Sequence, residues 1–213
     1  MIQAYFFDLD GTLVDTEILW VEAMESLAHE HGYALSRDQA LRMVYGISWP
    51  EIYKRFKRKV SDLPWTLDEM GVLLEPHFLK LRDNRDICIT TSIHLLRQLA
   101  EKHPVAVVSG SYRQDVEAAM DIMGIGTIVD FYLGHEDYHP GKPHPACYQR
   151  AAEIAKVIPE HCVVFEDSNA GICAAKDAGM YGVALSRSDR PVQDYSRADI
   201  ILDDLSKFSL DML

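Results

Sequence analysis

The chain has 213 residues, 48% of them hydrophobic, and its 33 acidic side chains against 21 lysines and arginines give a net charge of −12. That length and apolar content suffice to bury the core of one large domain, or of one domain with a modest insert. The acidic balance excludes non-specific nucleic-acid binding, which needs clustered Lys and Arg to displace counterions, so an anionic ligand has to meet a local positive charge.

In chain order, residues 2–7 are an apolar run broken only by Gln3, suited to a buried parallel strand, and Asp8 falls at or just beyond its carboxyl end. From Asp15 the pattern turns helical and stays so to about Arg82. Leu19, Met24, Leu27 and Ala28 share one face, and 36–45, 49–60 and 66–82 read as further helices punctuated by Gly32, Gly46 and the Leu63-Pro64 step. Helices near 91–102, 112–123, 145–156 and 169–178 then alternate with strands at 104–109, 131–134, 162–167 and 181–185, and a short strand at 198–202 closes the series. Such alternation implies a parallel sheet covered on both faces. The fold class is therefore α/β: a Rossmann-like parallel-sheet core, residues 1–14 and 84–213, with an inserted all-helical cap domain, residues 15–83. Segments 14–17 and about 82–90 are the candidate hinges.

Cys88, Cys147, Cys162 and Cys173 form no CxxC pair and sit among apolar or small residues, so they read as reduced core residues rather than a zinc site. No basic-then-apolar leader opens the sequence, and no stretch approaches the roughly 18 apolar residues of a membrane span. The expectation is a cytoplasmic protein with no membrane and no nucleic-acid partner; the oligomeric state is open, with a monomer favoured.

Ligands of open parallel sheets bind at the carboxyl ends of the strands. There this sequence places Asp8 and Asp10 after the first strand, Ser109 after the second, and Glu166 with Asp167 after the fourth. Four carboxylates on one rim repel one another, and their pKa values rise unless a cation compensates. Oxygen ligands with no His or Cys among them favour Mg²⁺, which keeps room for a phosphate oxygen. Lys142, in a loop bounded by Pro140, Pro143 and Pro145, supplies the local positive charge. Ser109, Gly110 and Ser111 before the next helix offer hydroxyl and backbone N–H groups to an anion. Arg113, one turn into that helix, is a further substrate-binding candidate, and in the insert so are Gly46 and Trp49 of "YGISWPE". No Walker loop occurs, and Gly124-x-Gly126 lacks the third glycine of a dinucleotide loop.

The segments "FFDLDGTLVD", "VVSGS", "GKPHP" and "VVFEDSNAGICAAKDAGM" resemble the four ordered motifs of the haloacid-dehalogenase-like superfamily. The similarity is to the branch with a helical cap after the first motif, which includes sugar phosphatases and beta-phosphoglucomutase. The resemblance implies Asp8 as a nucleophile that forms an aspartyl-phosphate and Asp10 as the general acid and base. Mg²⁺ would be held by Asp8, by the Asp10 backbone carbonyl and by Asp167, with Glu166 a direct or water-mediated partner. Ser109 and Lys142 would hold the transferring phosphoryl group. The implied activity is Mg²⁺-dependent hydrolysis of a small phosphorylated metabolite, a sugar phosphate first among them. A sugar-phosphate mutase is the alternative, and a phospho-acceptor signalling or binding domain is a more distant one. The resembling mutases carry a cap histidine soon after the first motif and a cap arginine near the glycine turn, where this sequence has Ile18-Leu19-Trp20 and Trp49.

Overall fold

The computed structural model describes residues 1–45, 47 and 49–213. The chain divides into two compact units, one of residues 1–14 and 88–213 and the other of residues 15–87.

In the first unit, strands β1 (Ala4–Phe7), β2 (Val105–Val108), β3 (Phe131–Leu133), β4 (Cys162–Glu166), β5 (Tyr181–Leu185) and β6 (Ile200–Leu202) form one sheet in the order β3-β2-β1-β4-β5-β6. Every pairing is parallel. β1, β2 and β4 are buried along their whole length, as uninterrupted apolar runs in the middle of a helix-covered parallel sheet should be. The outermost strands are three residues long and partly exposed, with Ile201 open to solvent, which keeps the free edges short. Phe6, Val164, Ala106 and Val108 pack with Tyr148, Ala151, Ala174 and Ala175 into one of the core clusters, and small residues on the helices let them close onto the sheet. Cys147 and Cys162 belong to that cluster, whereas Cys88 and Cys173 are only partly buried, so the reading of all four as core residues is corrected for those two.

The strand order is that of the doubly wound dinucleotide-binding sheet. The strand order reverses at β1, which has β2 on one side and β4 on the other, and this opens a crevice at the carboxyl ends of β1 and β4. Asp8 extends the β1 ladder by one bond, its N–H donating to the Phe165 carbonyl at 2.9 Å. Its side chain therefore stands at the mouth of that crevice.

The second unit consists of helices α1 (Thr16–Glu30), α2 (Arg37–Val44), α3 (Trp49–Lys59) and α4 (Leu67–Asp83), with no strand among its described residues. Thr66 caps α4 through a reciprocal pair: its hydroxyl accepts from the Glu69 N–H at 3.3 Å, and Glu69 accepts from the Thr66 N–H at 2.8 Å. Trp20 of α1 stacks on Phe78 of α4 with ring centroids 3.9 Å apart. The remaining helices of the first unit are α5 (Thr90–Ala100), α6 (Arg113–Met123), α7 (Ala146–Ala155) and α8 (Asn169–Asp177). No helix of the described residues is long and apolar enough to cross a membrane.

Candidate active site

After β1 the chain turns sharply. The Leu9 carbonyl accepts from the N–H groups of Leu13 at 2.8 Å and Val14 at 3.0 Å, and Gly11 takes φ +87°. Gly11 is needed twice over, because that φ suits glycine and because a Cβ there would overlap the Asp167 carboxylate. The turn thus lets the first and fourth acidic segments meet.

Asp8, Glu166 and Asp167, all buried, each offer a carboxylate oxygen, and these oxygens lie within 4.8 Å of one another. Lys142 reaches in among them, its Nζ 2.6 Å from Asp8 Oδ1, 2.6 Å from Glu166 Oε1 and 3.1 Å from the Val108 carbonyl. Its three N–H donors are thereby matched by three acceptors.

Asp10 occupies a different environment from Asp8. Its Oδ2 accepts from the Ser111 hydroxyl at 2.7 Å and the Ser109 hydroxyl at 3.2 Å. Ser109 is fully buried, and its Oγ also accepts from the Ser111 N–H at 2.9 Å.

Burial, and then the carboxylates of Glu166, Asp167 and Asp10, push the Asp8 pKa well above the usual carboxylate range in spite of the Lys142 ammonium. Burial works against the charge on Lys142, but Asp8 and Glu166 outweigh it and hold the lysine pKa well above its ordinary value. The buried acids repel one another around Lys142, and a bound cation would relieve that repulsion. The donor set is all oxygen and suits a hard divalent ion.

Glu166 is also held by several protein donors. Besides Lys142, its Oε1 accepts from the Tyr148 hydroxyl at 3.0 Å, while its Oε2 accepts from the Ser168 hydroxyl at 2.8 Å and the Ser168 N–H at 3.1 Å. The side chain is enclosed beneath the first turn of α8, where a Cβ on Gly171 would fall inside its carboxylate. Proximity alone groups Glu166 with Asp8 and Asp167. Its hydrogen bonds also make it an anchor for Lys142.

Two further candidates have protein partners of their own. Arg113 gives its guanidinium to Asp137, at 2.7 and 2.9 Å, and to the Tyr132 hydroxyl at 2.8 Å, and stacks 4.5 Å above the Tyr132 ring, so it is tied to β3 and the turn after it. Its backbone N–H donates to Glu136 at 3.0 Å, and the Ser111 N–H is engaged by Ser109, so the open amides expected at the start of α6 are partly taken by protein acceptors. In the other unit, the Trp49 indole lies over Gly71, where a Cβ would touch it at 3.6 Å. Gly46 lies outside the described residues.

Four contributors had no mark in the sequence reading. Tyr148 is fully buried, and its ring lies under the Lys142 ammonium at 5.1 Å. The Tyr138 hydroxyl donates to the Ser109 carbonyl at 2.7 Å. Ser168 caps α8 by accepting from the Gly171 N–H at 3.0 Å while it donates to Glu166. Tyr195 donates to the Asp167 carbonyl.

A doubly wound parallel sheet with buried acids and a lysine at its switch point defines an α/β enzyme core built to handle an anion together with a cation. The chain belongs to the haloacid dehalogenase-like hydrolase family, whose pattern it matches over residues 5–185. It is 30% identical over 208 residues to validoxylamine A 7'-phosphate phosphatase of Streptomyces hygroscopicus subsp. limoneus, a match covering 97% of this chain and 96% of that protein. It is 28% identical over 209 residues to phosphorylated carbohydrates phosphatase of Thermotoga maritima, covering 88% of each. Among solved structures, beta-phosphoglucomutase of Clostridium difficile superposes with a TM-score of 0.78 at 23% identity, covering 99% of this chain and 95% of that one, a likeness of fold.

Proposed function

We propose that this protein is a Mg²⁺-dependent phosphatase that hydrolyses the phosphomonoester of a small metabolite, with phosphorylated sugars and polyols as the leading substrate class. The observation that carries the reading is the unlike placement of two aspartates two residues apart: Asp8 lies against Lys142 in the acidic cluster, and Asp10 is held by Ser109 and Ser111. One carboxylate is set to attack and the other to move a proton.

A carboxylate oxygen of Asp8 attacks phosphorus, the bond to the leaving oxygen breaks, and Asp10 gives that oxygen its proton. Asp10, now a carboxylate, takes a proton from water as the water oxygen attacks phosphorus. The bond from Asp8 to phosphorus then breaks, releasing inorganic phosphate and restoring both aspartates. Lys142 offsets charge on the phosphoryl oxygens and shares with them the donors it gives to Asp8 beforehand, while Glu166 and the Tyr148 ring hold its ammonium in place. Ser109 and Gly110 contribute further polar groups to the same anion. Asp8, Asp167 and the Asp10 backbone carbonyl would hold Mg²⁺, which when bound supplies compensation for phosphate charge.

Hydrolysis is preferred over isomerisation because the sequence reads Ile18-Leu19-Trp20 where the resembling mutases carry a histidine, and Trp49 stands where they carry an arginine. The chain lacks those polar grips for a second phosphate at these places. Sugar 1- and 6-monophosphates followed by phosphorus NMR should yield inorganic phosphate with no exchange between the two isomers. Efficient exchange without phosphate release would overturn the assignment in favour of a mutase.

A further inference from the structure

The ladder between β4 and β5 ends at the Glu166–Ala184 rung, so the backbone of Asp167 lies one residue beyond the point where the sheet fixes its direction. Its carbonyl accepts from the phenol of Tyr195, whose oxygen is also 3.4 Å from the Leu185 carbonyl. One hydroxyl thus spans the carboxyl ends of two neighbouring strands. It is presented from the irregular 186–199 segment between β5 and β6, long for a connection in an α/β core.

That segment is pinned where Tyr195 sits. Asp194 Oδ1 accepts from the Ser196 N–H at 2.9 Å, and the Tyr195 carbonyl accepts from the Ala198 N–H at 2.9 Å, closing a compact turn. Asn169, two residues after Asp167, donates through Nδ2 to the Asp194 carbonyl at 2.5 Å. The turn and the acidic segment therefore hold each other by two separate bonds. On its other side, the Asp167 carboxylate fills the space that a side chain at Gly11 would occupy.

We propose that Tyr195 is a positioning residue for the acidic cluster. By fixing the Asp167 backbone from the β5–β6 segment, it sets the Asp167 carboxylate in the orientation that binds a divalent ion. This inference rests on the metal assignment of the phosphatase reading. Residues that orient a ligand from behind typically change metal affinity by about 10–100-fold when removed.

The test is binding of Mn²⁺ alone to the full chain, stripped with chelator and free of substrate, with unbound Mn²⁺ read by electron paramagnetic resonance. Tyr195→Phe keeps the ring and loses the bond. It should bind Mn²⁺ about tenfold or more weakly, while its melting temperature in chelator stays within about 4 °C of the parent, the scale of one neutral hydrogen bond. Asp194→Ala leaves the phenol and loosens its turn, so affinity should fall in the same direction, and this variant carries the test should Tyr195→Phe fail to fold. Unchanged affinity in both variants, with parent binding abolished by Asp167→Ala, overturns the role of Tyr195 and leaves the metal assignment standing. A parent chain that binds no Mn²⁺ overturns the assignment and the inference together.

Discussion

Asp8→Asn is expected to lose phosphate release by at least about 10⁴-fold, the scale seen when a covalent nucleophile is removed. The loss should appear in kcat, because the amide keeps the shape of the carboxylate and lacks the charge that attacks. Folding should survive the change. In the metal-free protein Asp8 carries an unfavourable ionisation imposed by burial and by Glu166, Asp167 and Asp10, so an uncharged residue there removes repulsion even as Lys142 loses one partner. Melting temperature in chelator at neutral pH should therefore stay close to that of the parent. Turnover near the parent level, after deamidation and contaminating phosphatase are excluded, would contradict the role of Asp8.

Lys142→Met should act on both stability and catalysis. It leaves Asp8 and Glu166 buried without the cation that touches each at 2.6 Å, and breaking a buried pair from one side costs about 3–5 kcal/mol. For a chain of this length that corresponds to a melting temperature lower by roughly 6–20 °C. Phosphate release should fall by about 10²–10³-fold, as when one preorganised charge partner of a transition state is lost. The pH dependence has a definite sign. The folded-state pKa of Asp8 lies above its unfolded value, so its contribution to stability is present at acid pH and is lost as pH rises through that elevated value. Without Lys142, which lowers the Asp8 pKa, that loss extends to higher pH, and the variant's deficit should be larger at about pH 8 than at about pH 5. Thermal melts of both proteins in chelator at the two pH values check this.

The α/β layout was legible because central parallel strands are continuous apolar runs, and "AYFF", "VAVV" and "CVVFE" carry that signature without ambiguity. Strand ends were not: the first strand is two residues shorter at its start than its apolar run, and the last begins at Ile200 rather than Ala198, since pairing partners, not composition, decide where a ladder stops. At the site, acids following strands marked where charge would collect. Sequence adjacency did not reveal that Glu166 spends both oxygens on Lys142, Tyr148 and Ser168. The tyrosines left no local trace. Tyr148, Tyr138 and Tyr195 reach partners 18, 29 and 28 residues away in the chain, and a tyrosine that will bond a distant carbonyl looks the same in sequence as one that merely packs. Arg113 shows the converse: a basic residue one turn past a serine expected to meet an anion is well placed by spacing, yet Asp137 and Tyr132 capture it.

A phosphoryl group is expected to pass through Asp8, and mapping the covalent adduct would show it. Asp10→Asn keeps the nucleophile and lacks the group that delivers water, so an activated phosphate ester needing little protonation of its leaving group should phosphorylate the variant faster than water releases it. Acid-quenched protein, digested and read by mass spectrometry, should carry a phosphoryl group on the peptide containing Asp8, and the adduct should vanish when Asp8 is also replaced by Asn. Phosphate release by the parent with an adduct on another residue, or an adduct that persists in the double variant, would contradict the account.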